Sequence, residues 1–177
     1  MTIAPIVHSV QVKLAPARAF DLFTTQMGAW WPKGQTVGKN HHAAIVIEPR
    51  PGGDWLERDD EGNETRWGKV LAWEPPSRLL LGWQLSTQWV YDPDLLTEVE
   101  LTFAPAPGGG TIVTLEHRNL ERFGAGAADH AGKLNGGWPR QIANFLTYAN
   151  AHSREQQCRK SVKQPASRGR SAPTHNG

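Results

Sequence analysis

Between residues 131 and 149, apolar side chains recur at three- and four-residue steps: Ala131, Leu134, Trp138, Ile142, Phe145, Leu146 and Ala149. That spacing marks one face of an α-helix. Gly136, Gly137 and Pro139 sit inside the same stretch. Two interior glycines cost about 1 kcal/mol each relative to alanine, and an interior proline removes a backbone bond and adds a clash, roughly 3 kcal/mol or more. Two readings accommodate them. In one, a continuous helix bends at Pro139 and turns its glycines toward a sheet, leaving space for a pocket. In the other, LNGG is a connection and Pro139 opens a new helix after Trp138. Both turn Trp138 inward.

The rest of the chain alternates with period two and is divided by turn residues. Ile6, His8, Val10, Val12 and Leu14 share one face of a first strand, and APARAFDLFTTQMGAWW then reads as a helix with Phe20, Phe23 and Met27 on one side. After a loop, PKGQTVGKNHH, the segment from Ala43 to Trp73 breaks at PRPGG and DDEGN into three strands. RLLLGWQL and TEVELTFAP follow, the latter placing Val99, Leu101 and Phe103 opposite Glu98, Glu100 and Thr102. A GGG turn leads into TIVTLEHRNL. A strand, a helix, several strands and a closing helix predict an α+β fold with a mainly antiparallel sheet.

No run of about 18 apolar residues is present, so membrane insertion is not expected. The N-terminus alternates instead of forming a charged and then greasy leader, and a cytoplasmic protein is expected. Cys158 is the single cysteine, which excludes an intrachain disulfide and a cysteine-based metal cluster. Residues 153–177 carry Arg154, Arg159, Lys160, Lys163, Arg168 and Arg170 against Glu155, a net +5 in a chain of +2, leaving −3 for residues 1–152. That segment has no apolar periodicity. The expected organisation is one domain over residues 1–152 and a disordered basic tail over 153–177. The tail reads as a solvated extension, and nucleic acid is not an expected partner.

Several segments together resemble the SRPBCC, or START-like, superfamily, in its branch similar to the activator of heat-shock protein 90 ATPase. They are APARAFDLFT, MGAWWP, RPGGDW, WGKVLAWEPPSRLLLGW, GGGTIVTLEH and the late GGW, spread from about Ile6 to Ala149. The resemblance implies a helix-grip fold: a curved antiparallel sheet wrapped around a long C-terminal helix, with an internal cavity between them. It also implies three classes of function. These are binding of a small hydrophobic or amphipathic molecule, cyclase- or lyase-type catalysis in the cavity, and a protein-interaction role at a chaperone ATPase. Asp92, Pro93 and Asp94 extend a sheet loop, and with Pro139 they depart from the family pattern.

Eight tryptophans are distributed over nearly every predicted element. Large aromatics with one polar N–H make good cavity walls. Trp83 and Trp138 turn inward by strand and helix pattern. Trp30 and Trp31 precede Pro32 and a flexible loop, so one faces the core and the other the pocket mouth, where the loop could act as a lid. The expected ligand-binding set is Trp31, Trp83, Phe103, His117, Gly137 and Trp138. His117 shares the concave face with Val113 and Leu115. It is the best candidate for a proton-transfer group, weighed against a hydrogen-bonded core histidine. Glu57 and Arg66 lie close enough for a cross-strand pair. No metal is expected, because His41 and His42 are adjacent and lack a third ligand at closed-site spacing. No cofactor is expected, since GxSxG, GxxxxGK[ST] and GxGxxG are all missing.

Overall fold

A computed structural model describes residues 1–162. Its strands are β1 (Ile6–Val12), β2 (His42–Ile47), β3 (Asp54–Asp59), β4 (Glu64–Glu74), β5 (Arg78–Trp83), β6 (Thr97–Pro105) and β7 (Thr111–Arg118). Helices α1 (Pro16–Thr25) and α2 (Met27–Trp30) follow β1, and α3 (Ala127–Val162) closes the described chain after a 3-10 turn at Leu120–Phe123. All seven strands join one antiparallel sheet in the order β1-β7-β6-β5-β4-β3-β2. It curls as a half-barrel around α3, the helix-grip arrangement.

Alternation decides which face is covered. In β6 and β7 the buried residues are Thr97, Val99, Leu101 and Phe103, then Thr111, Val113, Leu115 and His117. The opposite face is charged, and there Glu100 stands directly across from Glu116. Arg118 offsets that repulsion through Glu98 at 2.9 Å and Glu100 at 3.5 Å, and Arg78 reaches Glu100 at 2.8 Å. Such a face stays in water, so the helices must all pack on the other one.

Curvature is concentrated in β4. The pairing slips by one residue at Trp67 and again at Leu71, and each bulge bends the strand. Gly68 makes the tightest approach: a Cβ there would lie 1.7 Å from the carbonyl oxygen of Gly82. Only glycine fits at that position.

Helix α3 is continuous through Pro139, which favours the first reading of the late segment. Its buried face carries Ala131, Leu134, Trp138, Ile142, Phe145 and Ala149, with Phe145 fully enclosed against Phe23 and Trp30. Pro139 lies on the exposed side. The expected domain boundary at residue 152 falls inside α3, which continues to Val162. Residues 154–162 are exposed but include good helix formers, and extending an existing helix avoids the nucleation cost. The rest of the expected tail, 163–177, lies outside the described residues.

These contacts predict opposite effects for two glycines. Gly68→Ala should lower unfolding stability by about 3 kcal/mol or more through overpacking against the β5 backbone. Gly136→Ala, on an exposed helical position with nothing within 4 Å of the new Cβ, should raise it by up to about 1 kcal/mol. Urea denaturation of both variants checks the pair; equal effects would contradict the packing described for β4.

Candidate functional site

Between α3 and the sheet lies a cavity of about 330 Å³. Its walls are Trp31, Trp67, Trp83, Trp89 and Trp138, with Val37, Leu85 and Leu134 between them. Neighbouring rings meet edge-on or tilted: Trp31 to Trp67 at 5.1 Å, Trp83 to Trp138 at 5.6 Å and Trp31 to Trp138 at 6.0 Å between centroids. Gly137 also lines the space, and a Cβ built on it meets nothing within 4 Å. Gly136 is exposed. Of the two glycines, only Gly137 leaves room in the cavity.

Trp89 and Lys133, both exposed, mark the end that meets solvent. Trp89 has a left-handed backbone, φ 60°, which costs a non-glycine residue roughly 1–3 kcal/mol. Its indole stands against Trp83 at 6.1 Å and His130 at 5.3 Å.

Three wall indoles are pinned by hydrogen bonds from their N–H groups. Trp31 Nε1 donates to the Gln35 carbonyl at 2.9 Å, Trp67 Nε1 to Glu57 Oε2 at 3.2 Å and Trp138 Nε1 to His117 Nδ1 at 3.1 Å. The last bond fixes the His117 tautomer. With Nδ1 accepting, Nε2 bears the proton and donates to Thr97 Oγ1 at 2.8 Å, whose hydroxyl reaches the Trp83 carbonyl at 3.3 Å. Burial first, and then the charge of His130, push the His117 imidazole down to about 3.

The residues expected from sequence therefore separate. Trp31, Trp83, Gly137 and Trp138 line the cavity. Phe103 does not: it packs against Phe20 and Phe23 at 5.1 and 5.8 Å, further along β6. His117 lies behind Trp138, not in the wall. With both ring nitrogens engaged and its basicity suppressed, it is a hydrogen-bonded core histidine and a poor proton-transfer group. Glu57 does not pair with Arg66, which instead reaches Asp54 at 2.9 Å and lies over the Tyr91 ring. Glu57 is 3% exposed and accepts from Thr36 Oγ1 at 2.8 Å, from the Val37 N–H at 3.0 Å and from the Gly38 N–H. A Cβ on Gly38 would come within 2.8 Å of that carboxylate, so any larger residue would push the Glu57 side chain aside. The 32–41 loop is thus drawn over the cavity. Asn40 fastens its far end to Asp59, whose carboxyl Asn63 and Asn40 hold at about 2. His42 belongs to β2 and is buried, while His41 is exposed; no metal-binding group occurs among the described residues.

Sequence reasoning missed Trp67, Trp89, Gln35 and Gln141 as site residues and gave Glu57 the wrong partner. Two of them had a signal. Glu57 is two residues from Trp55 and shares its inward face, and Gln141 is three residues past Trp138 on the apolar helix face.

Residues 13–150 match the family model described as activator of Hsp90 ATPase homolog 1-like protein. No curated protein matches the sequence. Among solved structures, the anthrahydroquino-gamma-pyrone synthase Txn09 is 35% identical, with a TM-score of 0.59 over 82% of this chain and 97% of that one. The self-sacrificing resistance protein CalC from Micromonospora echinospora is 28% identical, with a TM-score of 0.64 over 84% and 95%. Aha1 from Colwellia psychrerythraea, solved as a dimer, shares the fold at 16% identity and a TM-score of 0.58 over 84% and 97%.

The depressed His117 value carries a pH dependence. A group whose folded value lies below its unfolded value of about 6.5 contributes stability above that pH and loses it as pH falls toward the folded value. At about 1.36 kcal/mol per unit, acidification from pH 7 to 4 should remove roughly 3 kcal/mol through His117. His117→Gln should cost about 1–3 kcal/mol at pH 7 and show a correspondingly flatter decline, measured by urea denaturation at each pH. Parallel profiles for the two proteins would contradict the assignment.

Proposed function

The chain belongs to the activator of Hsp90 ATPase homolog 1-like family, within the SRPBCC superfamily of helix-grip folds, and from that premise we propose that it binds a small hydrophobic or amphipathic molecule. The observation that carries this reading is the cavity itself. Its volume of about 330 Å³ falls in the range of small-molecule sites, and its walls are rigid, flat and apolar. Five indoles meeting edge-on or tilted favour a planar ligand with aromatic rings. The ligand would enter past Trp89 and Lys133, beneath the loop held by Glu57.

Identity of 35% to a synthase supports a second reading, cyclase- or lyase-type catalysis in the same space. Under it, the indoles fold the substrate and Lys133, the titratable side chain among the described lining residues, is the proton-transfer candidate. A chaperone-directed role follows from the family description alone. A pull-down that depends on surface residues and is indifferent to the cavity would favour it.

Filling the cavity tests the binding reading. Gly137→Leu should weaken binding of the neutral fluorescent probe N-phenyl-1-naphthylamine by about tenfold or more, roughly 1.4 kcal/mol. Gly136→Leu should leave affinity within about twofold, because that position faces solvent. Both should keep or slightly raise stability, since leucine is the better helix former. Equal effects of the two substitutions, or no saturable probe binding to the unaltered protein, would overturn the reading.

A further inference from the structure

One side chain in the cavity is out of keeping with its surroundings. Gln141 lines the space and is 4% exposed, on a helix face otherwise formed by Leu134, Trp138, Ile142 and Phe145. Its Nε2 donates to Gln35 Oε1 on the loop opposite, and its own Oε1 has no hydrogen-bond partner among the described residues. Among the described residues, the Trp83 indole N–H in the same wall also has no partner, but it is a donor, so Gln141 Oε1 is the unengaged acceptor; the acceptors beside it on the loop are taken. The Gln35 carbonyl accepts from Trp31 Nε1, and the Thr36 hydroxyl is taken up between Glu57 and the Asn40 carbonyl. A buried acceptor left without a donor is unfavourable, and native interiors rarely keep one without a use.

We propose that Gln141 is the polar end of the binding site and selects ligands carrying a hydroxyl or N–H donor on an aromatic framework. The proposal rests on the binding reading above and adds the chemistry of its occupant: a hydroxylated arene whose flat rings lie among the indoles and whose O–H donates to Gln141 Oε1. An arene with no donor, or with an ether in its place, leaves that oxygen unsatisfied on being enclosed. Sites built around such a bond discriminate far more strongly than apolar walls can. Gln35 supports the geometry from the other side by holding the Gln141 amide at its Nε2.

Titration of tryptophan emission with 2-naphthol and with 2-methoxynaphthalene tests this, because the two probes share their rings and differ in the donor. In the unaltered protein 2-naphthol should bind about tenfold more tightly. Gln141→Met, close in volume, should reduce that ratio to about twofold or less, whereas Gln35→Met should retain most of it. Equal affinities in the unaltered protein would overturn the proposal and leave the cavity reading standing, whatever the variants do. A ratio that persists in Gln141→Met would overturn it too, and a ratio lost equally in both variants would make Gln141 a fastening for the loop. If neither probe perturbs the tryptophans, the binding reading fails and this proposal with it.

Discussion

The sheet can bury only one of its faces, and the rest of the structure depends on that limit. Arg78 and Arg118 hold the outward glutamates of β6 and β7 in ion pairs, which commits that side to solvent. Most large apolar side chains must then pack on the inner face, between the curled sheet and the helices. Phe20, Phe23, Trp30, Phe103 and Phe145 fill one end with edge-to-face contacts. At the other end the contributors are nearly all indoles, and the helix offers Gly137 where a side chain would have closed the gap. Protein interiors are otherwise close-packed, so a void of this size reflects how rigid rings meet.

Rigidity in that end comes from polar groups just outside the wall. Trp31, Trp67 and Trp138 each spend their single N–H on a group from a different segment: the loop backbone, β3 and β7. Glu57 does two things at once, since the carboxylate that receives Trp67 also gathers the N–H groups of Val37 and Gly38. Wall and loop are therefore coupled through one buried side chain. The His117 relay to Thr97 has the same character, because it sets the angle of Trp138 and leaves the cavity surface apolar.

Much of the fold was legible because alternation and turn residues are local signals. Seven strands, their order in the chain and the inward face of α3 follow from residue spacing alone. What was not legible depends on contacts distant in sequence. Phe103 and Trp83 both point inward from neighbouring strands, yet α1 covers Phe103 while Trp83 faces the gap, and no periodicity distinguishes them. His117 sits on the concave face as its pattern indicates, but its role was decided by Trp138, 21 positions away. Glu57 was misread because a charged residue in a strand near a hairpin usually faces solvent, and the bulge at Trp67 and the close approach of Gly38 are invisible locally. That α3 continues past residue 152 was not legible, because exposed helix has no apolar stripe to reveal it.

The central claim is that an aromatic molecule occupies the indole-walled cavity. Fluorine NMR of protein labelled with 5-fluorotryptophan tests it most directly, with the eight resonances assigned by single Trp→Phe variants. On titration with 2-naphthol, the resonances of Trp31, Trp67, Trp83, Trp89 and Trp138 should shift together and saturate. Trp73, which packs against Phe20 away from the cavity, should stay in place. Shifts centred on Trp73, or none that saturate, would contradict the account.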